Sequence, residues 1–204
     1  MALDTYVNLK ASIRNWSHRN DQPDSLIDDH IRLAETAMWQ LLEIRDMSAR
    51  ATASMGATRF LALPDNFIKM RRLSILSGNR VIDLKYATPE SMHVVSTTSQ
   101  PSFFTVTTQL EFDRVPDSTY TVEMTYFKEL TALSDSNTTN AVLTRFPDVY
   151  LHGALHYLNN FGNFDSAAHE HLVKFSDAIK RANKQDKKGR YGPAMAGRRE
   201  GITP

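Results

Sequence analysis

The sequence predicts an α+β fold, with helices at both ends of the chain and strands inserted between them. Near each end, apolar residues recur at the three- and four-residue spacing of amphipathic helices. The stretch between alternates apolar with polar residues and is rich in β-branched and aromatic side chains, which is typical of antiparallel strands. We therefore expect a four-helix bundle, an inserted antiparallel β-sandwich-like region and an extended C-terminal arm.

Residues 1–46 are predicted to form a helical hairpin. Asp4-Thr5 offers an N-cap for the first helix. The apolar positions of this helix are Tyr6, Leu9, Ile13 and Trp16. A second helix over about residues 24–46 carries an apolar stripe of Ile27, Ile31, Ala34, Met38 and Leu41. Two such helices with a short connection should lie antiparallel.

The helical pattern also predicts whether the tryptophans and the acidic residues of this hairpin face the core or the solvent. Trp16 and Trp39 are interpreted as core or packing residues of the two helices. Asp28, Asp29 and Glu35 are expected on the solvent side of the second helix, where they would be solvated rather than act as acid or base groups.

Residues 47–132 are predicted to form the β-rich insertion. Strand patterns cover residues 60–63, 72–76, 80–84, 103–106, 109–113 and 119–127. Ser77-Gly78-Asn79 predicts a hairpin turn between the second and third of them. A short helix is expected to start at Thr88-Pro89-Glu90 and to reach Val95.

Residues 133–185 are predicted to form a second helical hairpin, which begins with a polar loop over 133–140. Pro147 should open a helix over residues 148–160, and Asp165-Ser166 should cap a last helix. The apolar stripe of that last helix is Leu172, Phe175 and Ile179.

The C-terminal residues, 186–204, are predicted to form an extended basic arm. Residues 180–204 hold eight of the chain's 24 Lys and Arg but only two of its 23 Asp and Glu. This segment therefore has a formal charge of +6, whereas residues 1–179 have −5. Docking into a protein groove, contact with DNA and a solubilising tail all remain open. The candidate docking residues are Lys187, Lys188, Arg190, Tyr191, Met195, Arg198 and Arg199.

No motif indicates an active site. The chain has no cysteine, so thiolate metal sites and disulfides are excluded. His152 and His156 have the i, i+4 spacing that lets two imidazoles share a metal, but Gly153 stands where a zinc peptidase has its glutamate base. We therefore expect no catalysis, no cofactor, no metal and no membrane contact.

Three groups of motifs, in order along the chain, are characteristic in combination. The first is Leu9-Lys10-Ala11-Ser12-Ile13, Asn15-Trp16, Asp21, Leu26-Ile27, Ile31 and Leu33-Ala34-Glu35. The second is Tyr120, Val122, Met124, Tyr126-Phe127-Lys128 and Ala132-Leu133-Ser134-Asp135. The third is Thr139-Asn140, Leu143-Thr144, Pro147-Asp148, Tyr150-Leu151 and Gly153-Ala154-Leu155. This series resembles the head–tail adaptor (connector, or head-completion) proteins of tailed bacteriophages.

The resemblance implies a ring of copies, commonly twelve, fixed under the portal vertex of the phage head. It also implies that the C-terminal arm grips the portal protein, that a tail tube or nozzle protein binds below, and that double-stranded DNA passes through the lumen. Such a protein belongs to the virion and is made in the cytoplasm of the bacterial host. The sequence leaves one main alternative, a nucleic-acid-binding protein whose basic arm contacts DNA directly.

Overall fold

The computed structural model describes residues 3–19, 21–78 and 80–190. The chain divides into two compact units. A helical unit is built from both ends of the chain, residues 1–46 and 130–204, and a β-unit consists of Met47–Glu129.

The helical unit is organised around one helix. Its described helices are α1 (Tyr6–Ser17), α2 (Asp24–Leu41), α3 (Ala141–Arg145), α4 (Pro147–Phe161) and α5 (Asp165–Arg190). Helix α4 contacts each of the other four. The predicted α+β class is confirmed, whereas the predicted four-helix bundle is not shown, since the helices surround α4 and include the short α3, which the sequence did not predict.

A side-chain cap fixes the start of α1, and buried extended residues fix the end of α2. Thr5 is the N-cap of α1, as predicted, and its hydroxyl accepts a hydrogen bond from Asn8 N at 3.3 Å. Helix α2 ends five residues earlier than predicted, because Leu42 is already extended and alternating Leu42 and Ile44 are buried. Trp39 is buried as expected, whereas Trp16 is 54% exposed and packs against the ring of His152 rather than in the core.

A glycine sets how closely α4 approaches its neighbours. A Cβ at Gly153 would lie 2.9 Å from the Cβ of Ala34 in α2 and 2.9 Å from the ring of Phe175 in α5. Real Cβ atoms do not come so close to other carbons. Packing against these two helices therefore requires glycine here, at the position where a peptidase would need glutamate.

The β-unit contains two four-stranded sheets. Its strands are β1 (Ser48–Met55), β2 (Phe60–Leu61), β3 (Phe67–Ser77), β4 (Arg80–Asp83), β5 (Lys85–Tyr86), β6 (Phe103–Val106), β7 (Leu110–Phe112) and β8 (Tyr120–Lys128). The strand orders are β1-β8-β3-β4 and β2-β7-β6-β5, and all pairs are antiparallel except β5 with β6.

Both sheets contribute to one apolar core, as a β-sandwich requires. Alternate residues of β8, namely Tyr120, Val122, Met124 and Tyr126, are buried in it together with Phe104 and Phe112 of the other sheet. The predicted β3–β4 hairpin is confirmed by the pairing of Ser77 with Arg80. The expected helix from Pro89 to Val95 is only a 3₁₀ turn, Pro89–Ser91.

Candidate docking surface

Helix α5 extends into the segment that was predicted to be an extended arm. Because the helix continues to Arg190, Lys187, Lys188 and Arg190 are helical rather than extended. Two effects favour this: the inward-facing Ala182 and Asp186 are buried, and positive charge is favourable near a helix C-terminus. The other candidate docking residues, Tyr191, Met195, Arg198 and Arg199, lie outside the described residues.

A buried carboxylate holds the C-terminal end of α5. The side chain of Asp186 is 0% exposed, and its Oδ2 accepts a hydrogen bond from Arg45 N at 2.9 Å. Its Oδ1 lies 3.8 Å from Arg45 Nε and 3.4 Å from Arg145 Nη2. Arg145 also forms an ion pair with Asp46. The end of α5 is thus connected to α3 and to the chain that follows α2.

Asn183 makes a second attachment one turn earlier. Its Oδ1 accepts a hydrogen bond from Glu43 N at 2.8 Å, and its Nδ2 donates to Leu41 O at 3.0 Å. Both partners belong to the end of α2 and the segment that follows it. We call Asn183 and Asp186, with their partners at 41–46 and Arg145, the root clamp, because the basic C-terminal residues follow directly after it.

A second buried carboxylate, Glu35, contradicts its expected location on the solvent side of α2. Only 3% of the residue is exposed. Its Oε1 accepts hydrogen bonds from Leu133 N and from the Tyr150 hydroxyl, each at 2.8 Å. Burial raises the pKa of Glu35, while these two hydrogen bonds act in the opposite direction. Asn140 donates to the Tyr150 hydroxyl at 2.7 Å and completes the network.

A cluster around Lys10 joins α1 to α2. The side chain of Lys10 is largely buried, and its Nζ lies 3.3 Å from Asp28, 3.6 Å from Asp24 and 3.6 Å from Asp135. The Tyr6 hydroxyl also donates to Asp28, at 2.6 Å. Burial lowers the pKa of Lys10, but its hydrogen bond to Asp28 and the nearby carboxylates outweigh this and raise it. Asp28 is therefore half-buried and held by Lys10 and Tyr6 rather than solvated, whereas Asp29 is exposed as expected.

The histidines proposed as alternative metal ligands have other partners. His152 Nδ1 lies 3.2 Å from His171 Nδ1, at hydrogen-bond distance. His156 Nδ1 lies 2.8 Å from the carbonyl oxygen of Ala168 and therefore donates to it. Within the described ranges, no three His, Asp or Glu side chains are close enough together to hold a metal ion.

We expect the helical unit to lose stability as the pH falls below about 6.5, the ordinary pKa of histidine. Burial, followed by neighbouring positive charge including Lys174, lowers the pKa of both His152 and His171 in the folded chain. Asp148 near His152 and Glu170 near His171 oppose this shift, whereas Arg181 and His156 add to it. The unfolded chain therefore takes up protons that the folded chain does not bind.

Thermal unfolding at pH 7.5 and 5.5 measures this effect. The double variant His152→Gln, His171→Gln should show a smaller drop in Tm between the two pH values than the parent chain. An equal drop in both proteins would show that this histidine pair does not cause it.

Comparison with known proteins gives one result that covers nearly the whole chain. The family model for the SU10 adaptor protein matches residues 4–198. No curated protein matches the chain. None of the helices in the described part of the chain has an apolar stretch long enough to cross a membrane. The match includes both helical segments, the β-unit and most of the basic C-terminal residues. The chain therefore belongs to the SU10 adaptor protein family, a family of phage head–tail adaptors that are structural components of the virion rather than enzymes.

Proposed function

We propose that this protein forms a head-to-tail adaptor ring, commonly of twelve copies, that docks under the portal protein and provides the platform for the tail. The C-terminal residues 186–204 grip the portal through Lys187, Lys188, Arg190, Tyr191, Met195, Arg198 and Arg199. Membership of an adaptor family supports the role, and the concentration of positive charge in these residues supports the choice of segment.

The observation that carries this proposal is the root clamp. Asp186, which is buried, and the half-buried Asn183 attach the end of α5 to residues 41–46 at two successive turns. A segment that begins at a fixed point loses less orientational freedom on binding than one that begins at a mobile point. In a ring, many such weak contacts act together and give a high overall affinity.

The remaining parts of the proposal concern the tail and the genome. The lower surface of the ring receives the tail tube or nozzle protein, and double-stranded DNA passes through the lumen at the head–tail interface. The formal charge of −5 on residues 1–179 supports passage without adhesion, because a negatively charged wall repels phosphates.

Removal of residues 191–204 should weaken portal binding strongly without unfolding the helical unit. This truncation leaves α5 and the root clamp intact, so we expect the Tm to change by less than about 2 °C. The affinity for the purified portal of the same virion should fall at least about tenfold, since four of the seven docking residues are lost. Co-sedimentation of truncated and full-length chains with the portal measures this. Equal binding by both would refute the proposed role of the C-terminal residues.

A further inference from the structure

An open groove of about 670 Å³ lies on the surface of the helical unit. It is lined by His152, Lys174, Asp177, Lys180, Arg181 and Lys184. Four of these six residues are cations and one is an acid, and Asp148 and Glu170 lie against two of the cations, so the groove keeps a small net positive charge. Such a surface attracts an anionic partner, and the attraction weakens with salt.

An exposed aromatic side chain, Trp16, lies beside the groove and contacts one of its lining residues. His152 lines the groove, and the Trp16 ring meets His152 edge to face with 5.9 Å between ring centroids. Trp16 is more than half exposed, although the sequence pattern predicted a core or packing position. Trp and Arg are among the residue types enriched at protein–protein interfaces and contribute most to binding energy there, and the groove offers Arg181 in its lining with Trp16 at its edge.

The groove leads towards the basic C-terminal residues. Lys174 and Lys188 lie on the same helix, and fourteen residues of α-helix cover about 21 Å. Lys187 and Lys188 are exposed beyond the groove, just before the end of α5. A partner segment bound in the groove would therefore run along α5 and meet the docking residues that follow.

We propose that this groove docks an acidic segment of the protein that the C-terminal residues grip, so that recognition of that partner starts at Lys174 rather than at residue 186. The inference rests on the proposed function and adds a second contact surface to it. Net positive charge, continuity with the basic C-terminal residues and the exposed Trp16 beside the groove favour one occupant: an extended polypeptide with Asp or Glu and an apolar side chain.

Acidic residues among the cations favour a protein over DNA as the occupant. Asp177 lies 3.2 Å from Lys180, and Asp148 lies 2.7 Å from Arg181. Glu170 is similarly paired with Lys174. These carboxylates would repel a phosphate backbone, which carries only one sign of charge. A protein segment can supply donors opposite the acids and carboxylates opposite the cations.

The double variant Lys180→Glu, Lys184→Glu tests the inference in the full-length chain. Both side chains lie on the groove, and Glu forms helices as well as Lys does. The matched control is Arg80→Glu, Lys85→Glu, which changes the charge by the same amount at two exposed positions of the β-unit. Binding to the purified portal of the same virion and to a 20-base-pair duplex is measured for both proteins and for the 191–204 truncation.

We expect the groove variant to bind the portal at least about tenfold more weakly, with the control within about twofold of the parent chain. Unchanged portal binding by the groove variant would overturn the inference, and so would a loss confined to the DNA duplex. If the groove variant loses affinity for the portal but the truncation does not, the inference about the groove is supported and the proposed role of the C-terminal residues is refuted. If the groove variant has a lower Tm, the single variant Lys184→Gln must still weaken portal binding for the inference to stand.

Discussion

Asp186→Ala is expected to lower the free energy of unfolding of the helical unit by about 1–3 kcal/mol, because a backbone donor loses its buried acceptor while Arg45 and Arg145 remain accessible to water. The substitution leaves Arg45 N without its acceptor and removes the carboxylate that faces Arg145. Both tryptophans of the chain, Trp16 and Trp39, belong to this unit. Tryptophan fluorescence during urea unfolding therefore reports on it selectively.

Two substitutions control for this prediction. Asp186→Asn keeps an oxygen that can accept from Arg45 N, so a smaller loss is expected than with alanine. Asp177→Ala removes an exposed carboxylate from the same helix, where its ion pair with Lys180 should contribute less than about 1 kcal/mol. A similar loss for Asp177→Ala and Asp186→Ala would show that the root clamp has no special importance.

Glu35→Ala is expected to destabilise the same unit by about 2–4 kcal/mol, because it leaves two buried donors without an acceptor. Leu133 N and the Tyr150 hydroxyl both donate to Glu35 Oε1. The substitution therefore releases the segment that returns from the β-unit to α3 and α4. Urea unfolding followed by tryptophan fluorescence measures the change.

The matched control for this prediction is Asp29→Ala, an exposed carboxylate on the same helix. It should change the free energy of unfolding by less than about 0.5 kcal/mol. Glu35→Gln should cost less than alanine, since the amide oxygen can still accept. If Glu35→Ala is as stable as Asp29→Ala, the buried network does not hold the return segment.

The sequence predicted the elements in which apolar and polar residues alternate regularly or a proline marks the first helical residue. The alternation in Tyr120–Lys128 gave β8 and its buried face, and Pro147 gave the first residue of α4. Strand β1 was missed, because its sequence, SARATASM, consists mostly of small and polar residues and has only Thr52 as a β-branched and Met55 as a large apolar side chain. Its pairing with β8 is a tertiary effect that no local pattern contains.

The buried carboxylates were harder to predict because their partners are distant in sequence. Glu35 is bonded to residues 98 and 115 positions away, so nothing near it in the chain indicates burial. Asp186 had a usable signal: it follows Phe175, Ile179 and Ala182 at helical spacing and so lies on the buried stripe of α5. The predicted stripe began at Leu172, which is exposed, and ended at Ile179, so the buried Ala182 and Asp186 were not assigned to it.

The central claim is that the C-terminal residues of this adaptor bind the portal. Cryo-electron microscopy of the adaptor bound to the purified portal of the same virion tests it most directly. We expect density for residues 191–199 on the portal surface, beyond the end of α5. Density for these residues along their own helical unit, with no portal contact, would contradict the account.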